Sequence, residues 1–569
     1  MMCTFPVYTS ETECQDCYKC LRQCPVKAIR VANGRATVMP EACIACGHCV
    51  EVCPAGAKQI RHDLERAVAL LQRSERVVLS LAPSYPSVFP EVSPDALAGA
   101  LLQLGFAAVS ETALGAEQVN RTTAEILRER PGTVNLSTAC PVAVRYICKY
   151  LPEFAPDLTP VVSPMLAHAK ALQNVYDDKT AIVFAGPCIA KKLEADEHPE
   201  LIAVALTFNE LKEWLDAAGI TPGDPAIEPA AFAPHKAADG ALYPIAGGMG
   251  ETLRPMLDGV ETGLLHCSGL QRMEKALRGL QQCRTDGAIF VELLACQGGC
   301  LGGPCAAPEA ALRGEIDIRA RHVNSSPAAE TGLAPRCPAE VRPGVVGAQF
   351  TETQLTEALG RIGKVSPEDE INCSGCGYDT CRAFAVALLS GLAEPEMCVS
   401  NLRRKAQRKA NALLRCIPSG VVIADAALNI VECNENFARM FGDLHLSYQA
   451  RPGLGGVALA RAVPFAEIFR RVLETGQEER RELLRTGENL INLTVFPIEQ
   501  GSTVGAILQD VTVSAARREY ITQKAREVID RNLSTVQEIA FKLGEHMAET
   551  EILLRSIATD YNSGSEEQI

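Results

Sequence analysis

Glu292-Leu293-Leu294-Ala295-Cys296-Gln297-Gly298-Gly299-Cys300-Leu301-Gly302-Gly303 decides how this chain of 569 residues is read. It follows the β-rich run Gly287-Ala288-Ile289-Phe290-Val291 and so begins where a strand is expected to end. Its glycines let backbone approach a bulky group closely. Two other loops repeat the arrangement: Ser137-Thr138-Ala139-Cys140-Pro141, and Ala185-Gly186-Pro187-Cys188-Ile189-Ala190-Lys191-Lys192-Leu193-Glu194. Loops at the carboxyl ends of parallel strands are where α/β proteins hold ligands. Cys140, Cys188, Cys296 and Cys300 are therefore expected to converge on one buried inorganic centre.

The surroundings fit. Residues 61–345 alternate short β-rich runs, such as Val77-Val78-Leu79-Ser80-Leu81 and Ala181-Ile182-Val183-Phe184-Ala185, with helical patterns such as Pro94 to Leu104. That alternation predicts α/β with largely parallel strands. Apolar residues make up 47% and charged residues 22%, which is enough to bury ordinary cores. The charge, 55 − 69 = −14, argues against a general nucleic-acid binder. No run of 18 apolar residues suggests a membrane span. Met1-Met2-Cys3-Thr4 lacks a basic patch followed by an apolar stretch, so no secretory signal is expected and the cytoplasm is the expected compartment. Thiols stay reduced there, so 24 cysteines in short-spaced groups read as metal ligands rather than disulfides.

Cys14, Cys17, Cys20 and Cys24-Pro25 follow C-x2-C-x2-C-x3-C-P, and Cys43, Cys46, Cys49 and Cys53-Pro54 repeat it. Three thiolates close in sequence wrap three corners of an iron–sulfur cube, and the fourth reaches the other cube. Cys14, Cys17, Cys20 and Cys53 are thus assigned to one 4Fe-4S cluster, and Cys43, Cys46, Cys49 and Cys24 to a second. Structural zinc, the alternative, usually takes two separated pairs. Residues 1–60 resemble a bacterial two-cluster ferredoxin.

With the three later cysteine loops in order behind it, the chain resembles an iron–iron (FeFe) hydrogenase, with its catalytic domain over about 61–310. The family's motifs read T-S-C-C-P, M-P-C-x-x-K-x-x-E and E-x-M-A-C-P-G-G-C. The resemblance implies that Cys140, Cys188, Cys296 and Cys300 ligate the cube of an H-cluster, with Cys300 bridging to a diiron unit. It implies that Lys191 hydrogen-bonds a cyanide ligand, and it places Glu194 where a carboxylate pairs with that lysine. Gly247-Gly248-Met249-Gly250-Glu251 is similar to another family stretch near the cluster. Several positions depart. Ala139 stands where the family has a proton-passing thiol, which cuts the relay at its first step. Gly186 and Leu294 replace methionines that pack the diiron unit, which predicts a reshaped pocket. Thr159 falls where a relay serine is usual, and Gly302-Gly303-Pro304-Cys305 replaces G-G-G-Q-P.

Cys373, Cys376, Cys381 and Cys398 have the spacing C-x2-C-x4-C-x16-C, which suits a third cube, with zinc as the alternative. The group resembles a small 4Fe-4S domain of corrinoid proteins and sensory hydrogenases. Cysteines 3, 148, 267, 283, 305, 337, 416 and 433 are left as thiols without assigned roles. A polar stretch at about 323–345 is expected to be a linker. Residues 408–512, with paired strands around Ser419–Asp425 and Asn429–Asn434 and a later hairpin, resemble a PAS sensor domain, whose ligand the sequence leaves unknown. From Ile529 a 4-3 spacing runs through Leu533, Val536, Ala540, Leu543, Met547, Thr550, Leu554, Ile557 and Tyr561, a coiled-coil signal.

The expected fold class is multidomain α/β and α+β. Its parts are a ferredoxin-like iron–sulfur module (1–60), an α/β H-cluster domain (61–345), a small helical 4Fe-4S domain (350–402), a PAS domain with a basic linker helix (403–512) and a coiled-coil helix (513–569). The expected cofactors are three 4Fe-4S clusters plus the H-cluster. The expected function is hydrogen or redox sensing with slow hydrogenase turnover, relayed through the clusters and PAS. Expected partners are H2, protons, an electron carrier such as ferredoxin, a second copy of the chain through PAS and coiled coil, and a signalling or hydrogenase protein acting in trans. Two alternatives remain open: an electron-transfer subunit of a ferredoxin-linked hydrogenase complex, and a non-hydrogenase iron–sulfur interaction protein.

Overall fold

The computed structural model describes residues 5–10, 13–280, 287–306, 309, 311–323, 334–338, 350–487 and 489–563. Cys3 and Cys283 lie outside them, as does most of the stretch expected to be a linker. The chain forms two units, Met1–Leu402 and Arg403–Ile569.

In the first unit, β1 (Val7–Thr9), β2 (Ile29–Ala32), β3 (Arg35–Val38) and β4 (Lys58–Ile60) form two antiparallel pairs, β1 with β4 and β2 with β3. The first and last strands of the segment thus close on each other, and both cysteine loops lie between them. The central region contributes β5 (Val77–Leu81), β6 (Ala108–Glu111), β7 (Val134–Leu136), β8 (Ala181–Gly186), β9 (Val204–Thr207), β10 (Thr262–Ser268) and β11 (Ala288–Leu294). They build two parallel sheets, ordered β6-β5-β8-β9 and β10-β11-β7. Helices cover both faces of the larger sheet. Its strands are therefore buried along nearly their whole length and read as continuous apolar runs instead of alternating ones.

Two polar groups are buried in this core. His168, on the helix Pro164–Val175, sits between Ser80 Oγ at 2.8 Å and Ser110 Oγ at 2.9 Å, tying that helix to β5 and β6. Burial holds its imidazole neutral, with a pKa lowered to about 3. Glu111 ends β6, and its carboxylate accepts from Ala237 N at 2.8 Å. Burial, the largest cause, raises its pKa from 4.5 to about 7. Between those two values the unfolded chain ionises while the folded one keeps its proton, so stability falls as pH rises through that window. Glu111→Gln is expected to flatten this slope and to gain up to about 3 kcal/mol at pH 8, as read from denaturant unfolding at pH 4.5 and pH 8.

The expected linker is partly anchored. At 334–338 the chain lies against the central domain: Ala334 N donates to Thr122 Oγ1 at 2.9 Å, and Arg336 pairs with Glu129 at 2.8 Å and Glu125 at 3.3 Å. Polar composition signalled a loop. It did not reveal that buried Ala334 joins the core beside the helix Ala113–Glu129.

Residues 350–402 pack on the ferredoxin segment. Val31 N donates to Leu392 O at 2.9 Å and Asn33 N to Glu394 Oε1 at 2.7 Å, and a single apolar core contains Leu21, Ile29, Val31, Phe384 and Met397.

The second unit has one antiparallel sheet. Its strands are β12 (Gly420–Asp425), β13 (Ile430–Cys433), β14 (Glu479–Thr486), β15 (Asn489–Glu499) and β16 (Thr503–Asp510), in the order β13-β12-β16-β15-β14. Phe437, Phe465 and Phe469 pack against one face with Val422, Leu493 and Val504. One helix then runs from Thr512 to Ser563, about 78 Å long at 1.5 Å per residue. Its apolar residues are exposed, with Leu533 at 55% and Met547 at 70%. The side chain of Tyr561, last in the expected seam, lies outside the described residues.

Candidate metal centre

The three loops meet. Cys140 caps the helix Pro141–Tyr150 after β7, Cys188 follows β8, and Cys296 and Cys300 follow β11. Backbone bonds lock the loops together. Ser137 Oγ accepts from Leu293 N at 2.9 Å, Cys300 N donates to Pro244 O at 2.8 Å, and Cys305 N donates to Pro187 O at 3.2 Å. All four cysteines line one cavity of about 100 Å3, with Ala139, Met165, Phe184, Lys191, Tyr243 and Leu294 also on its walls. Burial is the main cause that raises the thiol pKa values of three of them, with Cys188 pushed up to about 11 and Cys296 and Cys300 also raised. Protons on these sulfurs must leave when a metal binds, so uptake and proton release are coupled here.

Lys191 supplies the positive charge on this wall. Its Nζ donates to Glu194 Oε2 at 2.6 Å and to Ser163 Oγ at 3.0 Å, which leaves one of its three donors for the cavity. Ser163 also caps the helix Pro164–Val175, so the lysine head is fixed from two sides. Lys192, its neighbour, points elsewhere. Its Nζ is buried between Asp63 at 2.9 Å and Glu210 at 2.9 Å, and Asp63 also holds Arg61 and Arg66. Burial alone would raise the Asp63 pKa, but these three cations bring it below the ordinary carboxylate value.

The departures have structural causes. A Cβ on Gly186 would stand 2.6 Å from the Phe184 ring and 2.9 Å from Ala82. The Phe184 ring thus takes the room where a longer side chain would start, and it lines the cavity itself. Thr159 does not line the cavity. It is buried, donates to Leu136 O at 3.1 Å, and faces Thr138 Oγ1 at 3.4 Å.

Sequence reading assigned no role to Glu292, Tyr243 or Ser163. Glu292 sits buried in β11, its Oε2 without a hydrogen-bond partner among the described residues, and burial raises its pKa to about 7. A lone carboxylate inside an otherwise apolar strand was the available signal. Tyr243 donates to Asn120 Oδ1 at 2.8 Å from the cavity wall. Nothing in its local sequence marks it.

The structure brings part of each ferredoxin set together: Cys20, Cys24, Cys43 and Cys49 share one core, whereas Cys17 is exposed. The thiols of Cys14 and Cys53 act electrostatically on Cys20, while those of Cys24 and Cys43 act on Cys46 and Cys49. The second set abuts the central cavity. Gly47, with φ +81°, has Ile189 Cδ1 and Pro304 Cγ at 2.5 and 2.7 Å from where a Cβ would stand. Gly47→Ala is therefore expected to cost about 1–3 kcal/mol of unfolding free energy, measured by urea titration.

Cys373, Cys376, Cys381 and Cys398 line a second, much smaller pocket, joined by Tyr378, Phe384 and the buried Lys364. Among the described residues no three His, Cys, Asp or Glu side chains gather closely enough for a lone metal ion. Of the cysteines without assigned roles, 148, 267, 305 and 433 are buried and 337 and 416 exposed.

Comparison with known proteins agrees with this layout. Residues 75–304 match the family described as the C-terminal domain of the iron only hydrogenase large subunit. Residues 6–54 match a 4Fe-4S dicluster domain, 369–400 a putative Fe-S cluster domain and 409–481 a PAS domain. The NADP-reducing hydrogenase subunit HndD of Solidesulfovibrio fructosivorans is 26% identical over 330 residues, covering 46% of this chain and 55% of its own. The B subunit of the ion-translocating oxidoreductase complex of Methanosarcina acetivorans is 45% identical over 51 residues, 9% of this chain and 19% of its own. The chain thus spans about half of one curated relative and a fifth of the other. A solved FeFe-hydrogenase variant from Chlamydomonas reinhardtii aligns at 17% identity and TM-score 0.36, covering 45% of this chain and 88% of that one. No described helix is long and apolar enough to cross a membrane.

Proposed function

We propose that this chain, built around the C-terminal domain of an iron-only hydrogenase large subunit, is a hydrogen- or redox-sensing iron–sulfur protein with slow turnover. The carrying observation is the cavity itself, with four cysteines and a fixed Lys191 on walls that include Ala139. Cys140, Cys188, Cys296 and Cys300 would hold the cube of the H-cluster, and Cys300 would share its sulfur with the diiron unit. That group, when bound, supplies heterolytic cleavage of H2. Lys191 positions a donor toward it, and Glu194 and Ser163 hold the lysine in place. Met165, Phe184 and Leu294 exclude water. Ala139, with no exchangeable proton, slows proton exit.

Cys14, Cys17, Cys20 and Cys53 would hold one further 4Fe-4S cluster, Cys24, Cys43, Cys46 and Cys49 another, and Cys373, Cys376, Cys381 and Cys398 a third. The helix Val399–Cys416 starts one residue after Cys398 and ends four before β12, so it would carry the third cluster's redox state toward the PAS sheet. The exposed seam of the helix Thr512–Ser563 would pair two copies and present the output to a partner protein in the cytoplasm. Val536→Asp is expected to halve the sedimenting mass, and an unchanged mass removes the seam from the reading.

The similarity to an NADP-reducing hydrogenase subunit supports a second reading, an electron-transfer subunit of a ferredoxin-linked hydrogenase complex. That reading requires fast hydrogen evolution from reduced viologen, whereas sensing requires slow evolution. Infrared spectroscopy after supply of the diiron cofactor tests both. CO and CN bands are expected. Their absence, with about sixteen irons per chain, would leave a non-hydrogenase iron–sulfur protein.

A further inference from the structure

The 373–398 site is far from the ferredoxin in sequence but not in space. Its domain rests on the helix Lys19–Gln23, which carries Cys20 and ends just before Cys24. Gly377, with φ +94°, comes so close that a Cβ there would stand 2.9 Å from Leu21 Cγ and 3.4 Å from Arg22 N. The next residue, Tyr378, is 7% exposed and packs in one core with Cys20, Leu21, Cys24, Cys376 and Cys398. Its ring is held by Phe384, 5.6 Å away between centroids. The other side of the Cys24 group faces the central cavity, where Cys46 packs in one core with Cys140 and Cys188.

We propose that the Cys24, Cys43, Cys46 and Cys49 site is a branch point, passing electrons both to the remaining ferredoxin site and, across Tyr378, to the Cys373–Cys398 site. The inference rests on the cluster assignments above and adds a route. In each step one electron leaves the Cys24 cluster, which is oxidised by one, and enters the Cys373 cluster, which is reduced by one. No bond forms and no proton moves. Tyr378 is a positioning residue that fills the gap with a fixed ring, and Gly377 permits the close approach. The sensory branch and the carrier branch then draw on one cluster and compete for its electrons. The occupancy of the 373–398 site thereby reports on how fast an external carrier drains the other branch, not on hydrogen alone.

Electron paramagnetic resonance on the full chain tests this after iron–sulfur reconstitution without the diiron unit and reduction with dithionite. Hydrogen is not used, so a missing diiron unit, which would defeat the functional reading, leaves this readout intact. In a Cys17→Ser background, which disables the other ferredoxin site, the signal of the Cys373 cluster is expected to be split and fast-relaxing through its neighbour's spin. Adding Gly377→Leu is expected to remove the splitting with the iron content of Cys17→Ser retained. If Gly377→Leu sheds iron, Cys24→Ser removes the partner spin instead, and the same loss is expected. An unsplit signal in the Cys17→Ser background, or a splitting that survives Cys24→Ser, overturns the branch.

Discussion

On the proposed reading, Ala139→Cys is expected to raise hydrogen turnover by about 100-fold or more in protein loaded with the diiron cofactor, to be measured by hydrogen evolution from reduced viologen. The size follows from what one well-placed proton-transfer group contributes, roughly 10²–10⁴-fold. The position is favourable because Ala139 lies on the cavity wall next to Cys140. Thr138 donates to Val161 O at 2.7 Å and Thr159 to Leu136 O at 3.1 Å, so both are committed to backbone. Infrared bands of the cofactor should persist in the variant, which separates a restored proton path from a change in loading. Equal turnover in both proteins, with both loaded, would move the cause of slow chemistry away from residue 139.

Lys192→Met should cost about 3–5 kcal/mol of unfolding free energy, the usual result of removing one member of a buried ionic group. Lys192 is 1% exposed and sits between two carboxylates, and methionine would leave Asp63 and Glu210 without it. Arg61 and Arg66 still reach Asp63, so Glu210 bears most of the loss. The variant with Glu210→Gln added should recover part of the stability, because the uncompensated charge is gone. Chemical denaturation of the parent, the two single variants and the double variant forms the cycle. Because Asp63 precedes the helix Leu64–Arg73, the same group also fixes how the ferredoxin segment joins the central domain.

Short-range spacing carried most of what the sequence disclosed. Cysteines at fixed offsets named the ferredoxin groups, and β-rich runs before Cys140, Cys188 and Cys296 placed the loops at strand ends, where they are found. What stayed hidden depends on contacts between distant segments. Ser163 meets Lys191 only because the helix Pro164–Val175 is packed across β5. Gly186 looked like a loss of packing, yet Phe184 two residues earlier folds back into that space. Ala334–Pro338 looked like linker because nothing local shows that Thr122 and Glu129 receive it.

The core shared by the ferredoxin segment and residues 350–402 has a bearing on biosynthesis. Asn33 finds Glu394 across 361 residues of intervening chain. At roughly 5–20 residues per second on the ribosome, the apolar surface around Leu21 and Val31 waits about 20–70 s for its cover. During that interval the nascent chain offers an oily, thiol-rich face, the kind of surface chaperones and cluster-delivery factors engage before the late segment arrives to seal it.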